Sequence, residues 1–229
     1  MSELIVMLTH NDETVKNARE VFLSCKDLPV KFWGFKDVGL PIPLMRNLVD
    51  TMHDAGKTVF LEVVTLDEEK CLVGAAMANA CGFDYLLGTV YYESVITYCK
   101  KMQVRYLPFC GKVYGHPSIL EGTPDEIANN ALMLQEAGCQ GTDILAYRNK
   151  NSPEEAIRVL LERVSFPVVV AGSIASFERI DIVNKLNPWT FTIGSALFDG
   201  KFGPDKTFYG QLKAVYEHME KINRISPGG

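Results

Sequence analysis

The sequence predicts an α/β protein built as a single (β/α)₈ TIM barrel. Eight short apolar segments alternate with eight amphipathic segments along the 229 residues. Segments such as "LIVML" and "PVVV" are apolar throughout, which indicates parallel strands buried on both faces. Eight such units in a chain of this length fit a closed barrel better than an open sheet.

The predicted elements follow one another in strict alternation. The strands are expected near residues 4–9, 30–35, 58–64, 83–88, 104–109, 141–147, 167–171 and 190–194. The helices are expected near residues 13–25, 43–55, 67–81, 91–101, 124–137, 153–163, 176–186 and 205–223. No linker or shift of composition divides the chain, so we expect one domain over 1–229 with a flexible tail at 222–229.

Local signals mark both ends of several helices. A hydroxyl residue stands three positions before a Glu in "TLDE", "TPDE" and "SPEE", which predicts capping boxes at Thr65, Thr123 and Ser152. A glycine follows the helical pattern in "DAGKTVF", "ANACGFDYLL" and "EAGCQGTDIL". Each of these glycines is expected to end its helix in the left-handed conformation.

Composition excludes several function classes. The net charge is −5 and no run of Lys or Arg exceeds two residues, so we expect no nucleic-acid partner. The start "MSELIVMLTHND" has an apolar run of five residues, which fits neither a signal peptide nor a membrane span, so we expect a cytoplasmic protein. The six cysteines lack metal-ligand spacing and no GxGxxG follows a strand; we expect packing thiols and no cofactor, and a metal is not indicated.

Two Gly-Ser turns follow the last two predicted strands, in "VVVAGSIAS" and "FTIGSALF". Glycine lets backbone amides approach an oxyanion, and the serines add hydroxyl donors. Strands 7 and 8 are neighbours in this fold, and their carboxyl ends are where such barrels often bind phosphate. Gly172, Ser173, Gly194 and Ser195 are therefore predicted to bind phosphate. The alternative is that each glycine only permits a tight turn.

These two segments, together with the order of eight units, resemble the ribulose-phosphate-binding barrel superfamily. The resemblance implies a phosphorylated small-molecule substrate, but it does not identify the reaction. The pentose-phosphate epimerases of that group carry an acidic residue in strand 7, where this chain has Val170 and Ala171. The Asp-x-Lys-x-x-Asp array of its decarboxylases is also absent after strand 3, where the chain reads "LEVVTLDEE".

Catalytic groups are expected where strands 1 and 2 end. "THND" offers Asp12 as an acid or base, or as the cap of helix 1, and Asn11 as a residue that orients a ligand. "GFKD" places Lys36 beside Asp37. Lys36 could stabilise an enediolate, form a Schiff base with a substrate, or pair with Asp37 at the surface.

Glu62 interrupts an apolar strand and is therefore expected inside the barrel. Burial would raise its pKa and suit it to proton abstraction next to a carbonyl; the alternative is an ion pair with Lys36 or Arg105. Arg148, after strand 6, could grip an anion or belong to a surface ion network. Asp143 is ranked below Asp12 and Glu62, because it lies nearer the start of its strand.

The long connection "PFCGKVYGHPSILEGTPDE" is expected to be a mobile lid. It carries His116, a candidate acid or base that could equally be a solvated loop histidine. His10, Glu62 and His116 could meet at a metal, but their spacing does not require it. Cys110 is expected to be a packing residue rather than an acid-base thiol.

Together these residues favour an isomerase or epimerase acting on a phosphorylated sugar or similar metabolite. An aldolase or decarboxylase on the same substrate class, with Lys36 as nucleophile, is one alternative. A non-catalytic phosphometabolite-binding barrel is the other. A homo-oligomer is possible, because barrels often bury helix surface between subunits.

Overall fold

A computed structural model describes residues 2–115 and 117–225, with side chains to residue 222. Eight parallel strands form the central sheet, and each overlaps the segment predicted for it. They are β1 (Glu3–Met7), β2 (Phe32–Lys36), β3 (Thr58–Val63), β4 (Tyr85–Gly88), β5 (Arg105–Leu107), β6 (Thr142–Ile144), β7 (Val168–Val170) and β8 (Thr190–Ile193).

The sheet closes on itself. Each strand pairs in parallel with the next from β1 to β5 and from β6 to β8, and β8 pairs with β1. A shorter link joins β5 to β6: the Asp143 amide donates to the Pro108 carbonyl at 3.0 Å, and the Cys110 amide donates to the Asp143 carbonyl at 3.1 Å. All carboxyl ends of the strands therefore meet at one mouth.

Helices surround the sheet. They are α1 (Ala18–Cys25), α2 (Ile42–Asp54), α3 (Glu68–Cys81), α4 (Glu93–Met102), α5 (Pro124–Glu136), α6 (Pro153–Arg163), α7 (Phe177–Leu186) and α8 (Phe208–Ile225). Two short helices, Ala146–Arg148 and Ser195–Phe198, follow β6 and β8 and were not predicted. Helix α8 covers residues 222–225, where the flexible tail was expected, and residues 226–229 lie outside the described part of the chain.

Two predicted connections are hairpins. Thr9–His10 pairs with Glu13–Thr14, so α1 begins five residues later than expected. Lys112–Tyr114 pairs with Ile119–Glu121 in the segment expected to be a lid. Val113 and Leu120 of this second hairpin are buried in the main core, which anchors it to the barrel. Movement of the hairpin over the mouth stays a prediction.

One of the three predicted capping boxes is confirmed. Thr123 Oγ1 accepts from the Glu126 amide, and the Glu126 carboxylate accepts from the Thr123 amide. The prediction at Thr65 is wrong, because the charged carboxylate of Asp67, nearer the helix, accepts from the Lys70 amide at 3.0 Å. The prediction at Ser152 is also wrong, because its side chain caps nothing although the residue occupies the N-cap position.

The glycines that end helices have the predicted left-handed backbone. Gly56, Gly82 and Gly138 have φ of +70°, +83° and +84°. A side chain is strained at such angles, so glycine is the residue that permits these turns. All three lie on the amino-end face of the barrel, opposite the mouth.

The core has two parts. The larger lies between the sheet and the helices, and the smaller fills the barrel interior with Ile5, Met7, Phe32, Phe60, Leu87, Leu107 and Val169. Phe60 stacks on Tyr85 with ring centres 4.5 Å apart, and Trp189 lies 5.4 Å from Tyr85. This aromatic cluster fills the amino end of the interior, so the polar interior residues lie at the mouth. No helix within the described residues is long and apolar enough to cross a membrane.

Candidate active site

A cavity of about 290 Å³ opens at the carboxyl ends of the strands. It contains four predicted catalytic residues and all four predicted phosphate-binding residues: Asp12, Lys36, Glu62, Arg148, Gly172, Ser173, Gly194 and Ser195. His116 lies outside the described residues. Eight of the nine predicted site residues therefore meet in one place, although they come from six different strand ends.

The hairpin after β1 brings Asp12 over the mouth. Asn11 and Asp12 form its turn with φ of +50° and +68°. Thr14 fastens the hairpin to β2, because its hydroxyl donates to the Lys36 carbonyl at 2.8 Å and accepts from the Lys36 amide at 2.9 Å. Asp12 does not cap α1, whose N-cap is Asn17, so that alternative is wrong.

Lys36 ends β2 with its side chain in the cavity. The residue is 6% exposed, and its Nζ donates to the Asp12 carboxylate. Lys36 is buried and pairs with Asp12 rather than with Asp37, so the predicted surface pair with Asp37 is wrong. Burial raises the pKa of Asp37, against the opposing effects of its own backbone amide and of Lys36. Lys36 and Asp12 form the ion pair at this side of the mouth.

Glu62 is partly exposed to the cavity and level with Lys36 across the β2–β3 ladder. No hydrogen bond or ion pair within 4 Å joins its carboxylate to another described residue. The pairing with Arg105 is wrong, because Arg105 is exposed at the opposite end of the barrel and lies over Tyr85. Burial raises the pKa of Glu62, while the positive charges of Lys36 and Arg148 lower it. A carboxyl of this kind accepts a proton more readily than an exposed one.

Arg148 reaches the cavity from the short helix after β6. Its Nη1 donates to the Ser118 carbonyl at 3.3 Å, which fixes the guanidinium beside the second hairpin. A Cβ at Gly172 would lie 3.0 Å from Arg148 Nε, so the guanidinium crosses the first Gly-Ser turn in close contact. Arg148 has no ion pair with a carboxylate among the described residues, so the alternative prediction, that Arg148 belongs to a surface ion network, is wrong.

The two Gly-Ser turns follow neighbouring strands and line the same cavity. Gly172 and Ser173 have φ of +81° and +61°, two successive left-handed residues. The backbone amides of Gly172, Ser173 and Ser195 make no hydrogen bond with any described residue. Gly194 is close to the first hairpin, because a Cβ there would lie 3.1 Å from the Thr9 carbonyl oxygen. Unpaired amides facing one cavity are a means of binding an oxyanion.

Two further contacts complete the rim. His10 Nε2 lies 3.0 Å from the Asp199 carboxylate, which therefore has a partner. The Arg179 guanidinium lies 4.3 Å from the centre of the Tyr147 ring and donates to the Ser173 carbonyl. The helix that starts at Ser195 has only four residues, so its amides contribute as single donors rather than through a helix dipole.

Comparison with known proteins agrees on the fold. No family model matches the sequence, and no curated protein matches it. Solved structures do match. Orotidine 5'-phosphate decarboxylase from Pyrococcus horikoshii has a TM-score of 0.69 and 14% identity, over 95% of this chain and 99% of that one. The chain is a (β/α)₈ barrel.

Two more matched barrels are phosphometabolite enzymes by name. N-acetylmannosamine-6-phosphate 2-epimerase from Clostridium perfringens has a TM-score of 0.64 and 10% identity, over 96% of this chain and 93% of that one. N-(5'-phosphoribosyl)anthranilate isomerase from Pyrococcus furiosus has a TM-score of 0.61 and 12% identity, over 95% of this chain and 100% of that one. Identity at this level supports the barrel fold and leaves the reaction of this chain open.

Asp143 is a site residue that was ranked too low from the sequence. It is fully buried inside the barrel, and neither carboxylate oxygen has a hydrogen-bond partner among the described residues. Burial raises its pKa well above the usual value, and the charge of Glu62 raises it further, while Arg148 opposes both. Asp143 was expected nearer the start of its strand than the mouth. Strand β6 is only three residues long, so its middle residue, Asp143, is close to the mouth.

Neither the buried cysteines nor a cluster of metal ligands adds a reactive group to the cavity among the described residues. All six cysteines are free and buried, and burial raises the pKa of Cys110 to about 12. A thiol with that pKa is protonated at neutral pH and is a packing group. Within the described residues no group of three or more His, Cys, Asp or Glu side chains is arranged to hold a metal ion.

Proposed function

We propose that the protein is an enzyme that acts on a phosphorylated sugar or similar small phosphometabolite by proton transfer next to a carbonyl, as an isomerase or epimerase. The observation that carries the proposal is the position of Glu62 in the same cavity as the two Gly-Ser turns. The turns supply a binding site for an anion, and Glu62 supplies a base.

The phosphate would lie between the turns. The amides of Gly172, Ser173 and Ser195 are free to donate, and the two serine hydroxyls stand beside them. Arg148 lies across Gly172 and adds positive charge. Binding energy from this remote group holds the reacting carbons in place near Glu62, which is how an enzyme uses a non-reacting part of its substrate.

Glu62 would remove the proton on the carbon next to the carbonyl. Negative charge then develops on the carbonyl oxygen, and Lys36 is the buried cation level with Glu62 that can stabilise it. Asp12 holds Lys36 in place through their ion pair. Return of the proton from Glu62 to the neighbouring carbon, with the hydroxyl proton of that carbon passing to the former carbonyl oxygen, completes an isomerisation. An epimerisation instead requires that a proton reaches the opposite face of the same carbon.

The cavity limits the size of the substrate. Its volume of about 290 Å³ is at the small end of ligand sites, which span roughly 300–1,000 Å³. This volume favours a short sugar phosphate over a nucleotide or dinucleotide.

A lyase that uses Lys36 as a Schiff-base nucleophile is the second candidate, because the Lys36 amine faces the cavity. The ion pair with Asp12 argues against it, since an ammonium group has no electron pair with which to attack a carbonyl. Borohydride treatment with candidate substrates separates the two functions. A trapped adduct on Lys36 would establish the lyase, and its absence beside proton exchange would support the isomerase.

The substrate class is tested by thermal shift with a panel of sugar phosphates and their unphosphorylated counterparts. Binding to the folded state raises the melting temperature, so no prior choice of reaction is needed. We expect stabilisation by phosphorylated compounds alone, and its loss in the Ser173→Ala, Ser195→Ala double variant. Equal stabilisation by unphosphorylated sugars would contradict the proposed phosphate site. Binding without any exchange of substrate protons would identify a non-catalytic barrel.

A further inference from the structure

Two carboxyl groups face the inside of the barrel near its mouth. Asp143 is flanked along β6 by Ile144, which packs in the outer core, and its ladder partner is Val169 of the inner core. Glu62 is flanked by Leu61 of the outer core, and its ladder partner is the inner Leu87. Because strand side chains alternate between the two faces, both carboxyl groups point inward.

Charges around the pair do not balance if every group is ionised. The groups that face it are Lys36 and Asp37 from β2 and its end, Asp12 from the first hairpin, Arg148 from the helix after β6, and the neutral thiol of Cys110. Counted with Glu62 and Asp143, the described residues place four carboxyl groups and two cations here. Asp12 and Asp37 are partly open to solvent, whereas Glu62 and Asp143 point into the barrel, so a second negative charge on these two inward groups is strongly unfavourable and they retain a proton.

Asp143 is the member best suited to hold that proton. It is fully buried, and neither oxygen accepts a hydrogen bond from a described residue, whereas Glu62 has some contact with the cavity. An ionised carboxylate without a donor is the costliest state such a group can adopt. The neutral acid is much less costly in the same place.

We propose that Glu62 and Asp143 hold one proton between them at neutral pH, and that it resides on Asp143 while Glu62 is ionised. Asp143 is then a positioning residue that acts through Glu62. A negative charge on Asp143 would make Glu62 retain a proton and block its action as a base. When Glu62 takes a proton from substrate the pair holds two, and it returns to one when Glu62 gives that proton back.

Infrared spectroscopy of the ligand-free protein tests the proton directly, because the carbonyl stretch of a protonated carboxyl group is distinct from that of a carboxylate. We expect a buried protonated carboxyl band at neutral pH that is lost in Asp143→Asn and unchanged in Glu121→Gln, a control on an exposed carboxylate. In Glu62→Gln the band should titrate at lower pH than in the wild type, because a neighbouring negative charge is gone. This second variant keeps Asp143 and serves if Asp143→Asn fails to fold.

Absence of the band at neutral pH in the wild type, its survival in Asp143→Asn, or a midpoint unmoved by Glu62→Gln would overturn the pair. The consequence for catalysis rests on the proposed function and is tested separately by the pH profile of substrate proton exchange. In Asp143→Asn, the exchange rate should still fall at low pH, where Glu62 becomes protonated. It should no longer fall at high pH, whereas a purely structural role of Asp143 would leave that fall in place. If neither the wild type nor any variant exchanges substrate protons while the infrared result holds, the proposed function is rejected and the shared proton of Glu62 and Asp143 is still supported.

Discussion

Replacement of Gly172 by alanine tests the first Gly-Ser turn. Gly172 has φ of +81°, and an added Cβ would lie 3.0 Å from Arg148 Nε and 3.6 Å from its Cδ. The variant therefore has two effects: strain in the backbone, and displacement of the guanidinium that crosses the turn. Gly56→Ala is the matched control, because Gly56 has a similar φ of +70° and nothing within 4 Å of an added Cβ.

The two effects have separable magnitudes. A side chain in the left-handed region costs about 1–2 kcal/mol, which lowers the melting temperature of a domain of this size by roughly 2–4 °C per kcal/mol. Both variants should show this loss of stability. Loss of a hydrogen bond to a charged group costs a further ~1.5–3 kcal/mol of binding energy. At about 1.4 kcal/mol per tenfold, Gly172→Ala should weaken binding of a phosphorylated ligand roughly 10- to 100-fold.

Calorimetric unfolding and a binding titration measure the two quantities on the same samples. The probes are inorganic phosphate and the sugar phosphate that stabilises the wild type most. We expect similar melting temperatures for the two variants and weak binding in Gly172→Ala alone. Wild-type affinity in Gly172→Ala would refute the assignment of Arg148 and this turn to anion binding, and equal weakening in Gly56→Ala would show that strain alone accounts for the loss.

Three further predictions concern stability and access. Thr123→Ala should destabilise the protein by about 1 kcal/mol in urea unfolding, because it removes a formed capping box. Ser152→Ala should change the stability little, because the Ser152 side chain caps nothing. Equal losses of stability in the two variants would contradict this account of the two helix starts. The pKa of Glu62 is raised on folding, so the stability tied to its proton is present at low pH and is lost as pH rises from the usual glutamate range through the folded value. Glu62→Gln should therefore gain stability relative to wild type across that window in pH-dependent melts, and a gap that stays constant with pH would count against a buried Glu62. The six buried cysteines should react with a bulky thiol reagent only as fast as the protein opens, which mass spectrometry can follow; rapid labelling of native protein would contradict their burial.

The fold was readable because two strong patterns agree along the chain. Apolar strand segments and amphipathic helical segments alternate eight times, glycines end three of the helices as predicted, and all eight strands appear where they were predicted. The ends of strands are less certain: β6 was expected at 141–147 and covers Thr142–Ile144, because the chain turns into a short helix at Ala146. Apolar residues in a tight turn and in a strand look alike in one sequence.

The sequence predicted the parts of the site that the fold topology alone brings together. The carboxyl ends of parallel strands meet at one mouth, so residues placed at those ends share a cavity without any knowledge of side-chain contacts. The sequence did not predict which charged residues form ion pairs. Lys36 could choose Asp37 or Asp12, and the choice depends on a hairpin that Thr14 fastens to β2. The importance of Asp143 depends on its full burial and on the effect of the Glu62 charge on it, which no spacing in the sequence encodes.

The central claim is that the Gly-Ser turns hold the phosphate of a substrate while Glu62 moves a proton on it. Nuclear magnetic resonance in heavy water, which follows deuterium entering the carbon next to the carbonyl of a bound sugar phosphate, tests it most directly. We expect incorporation with wild-type protein, none with Glu62→Gln although that variant still binds the ligand, and none with the unphosphorylated sugar. Incorporation by Glu62→Gln at the wild-type rate, or with the unphosphorylated sugar, would contradict the claim.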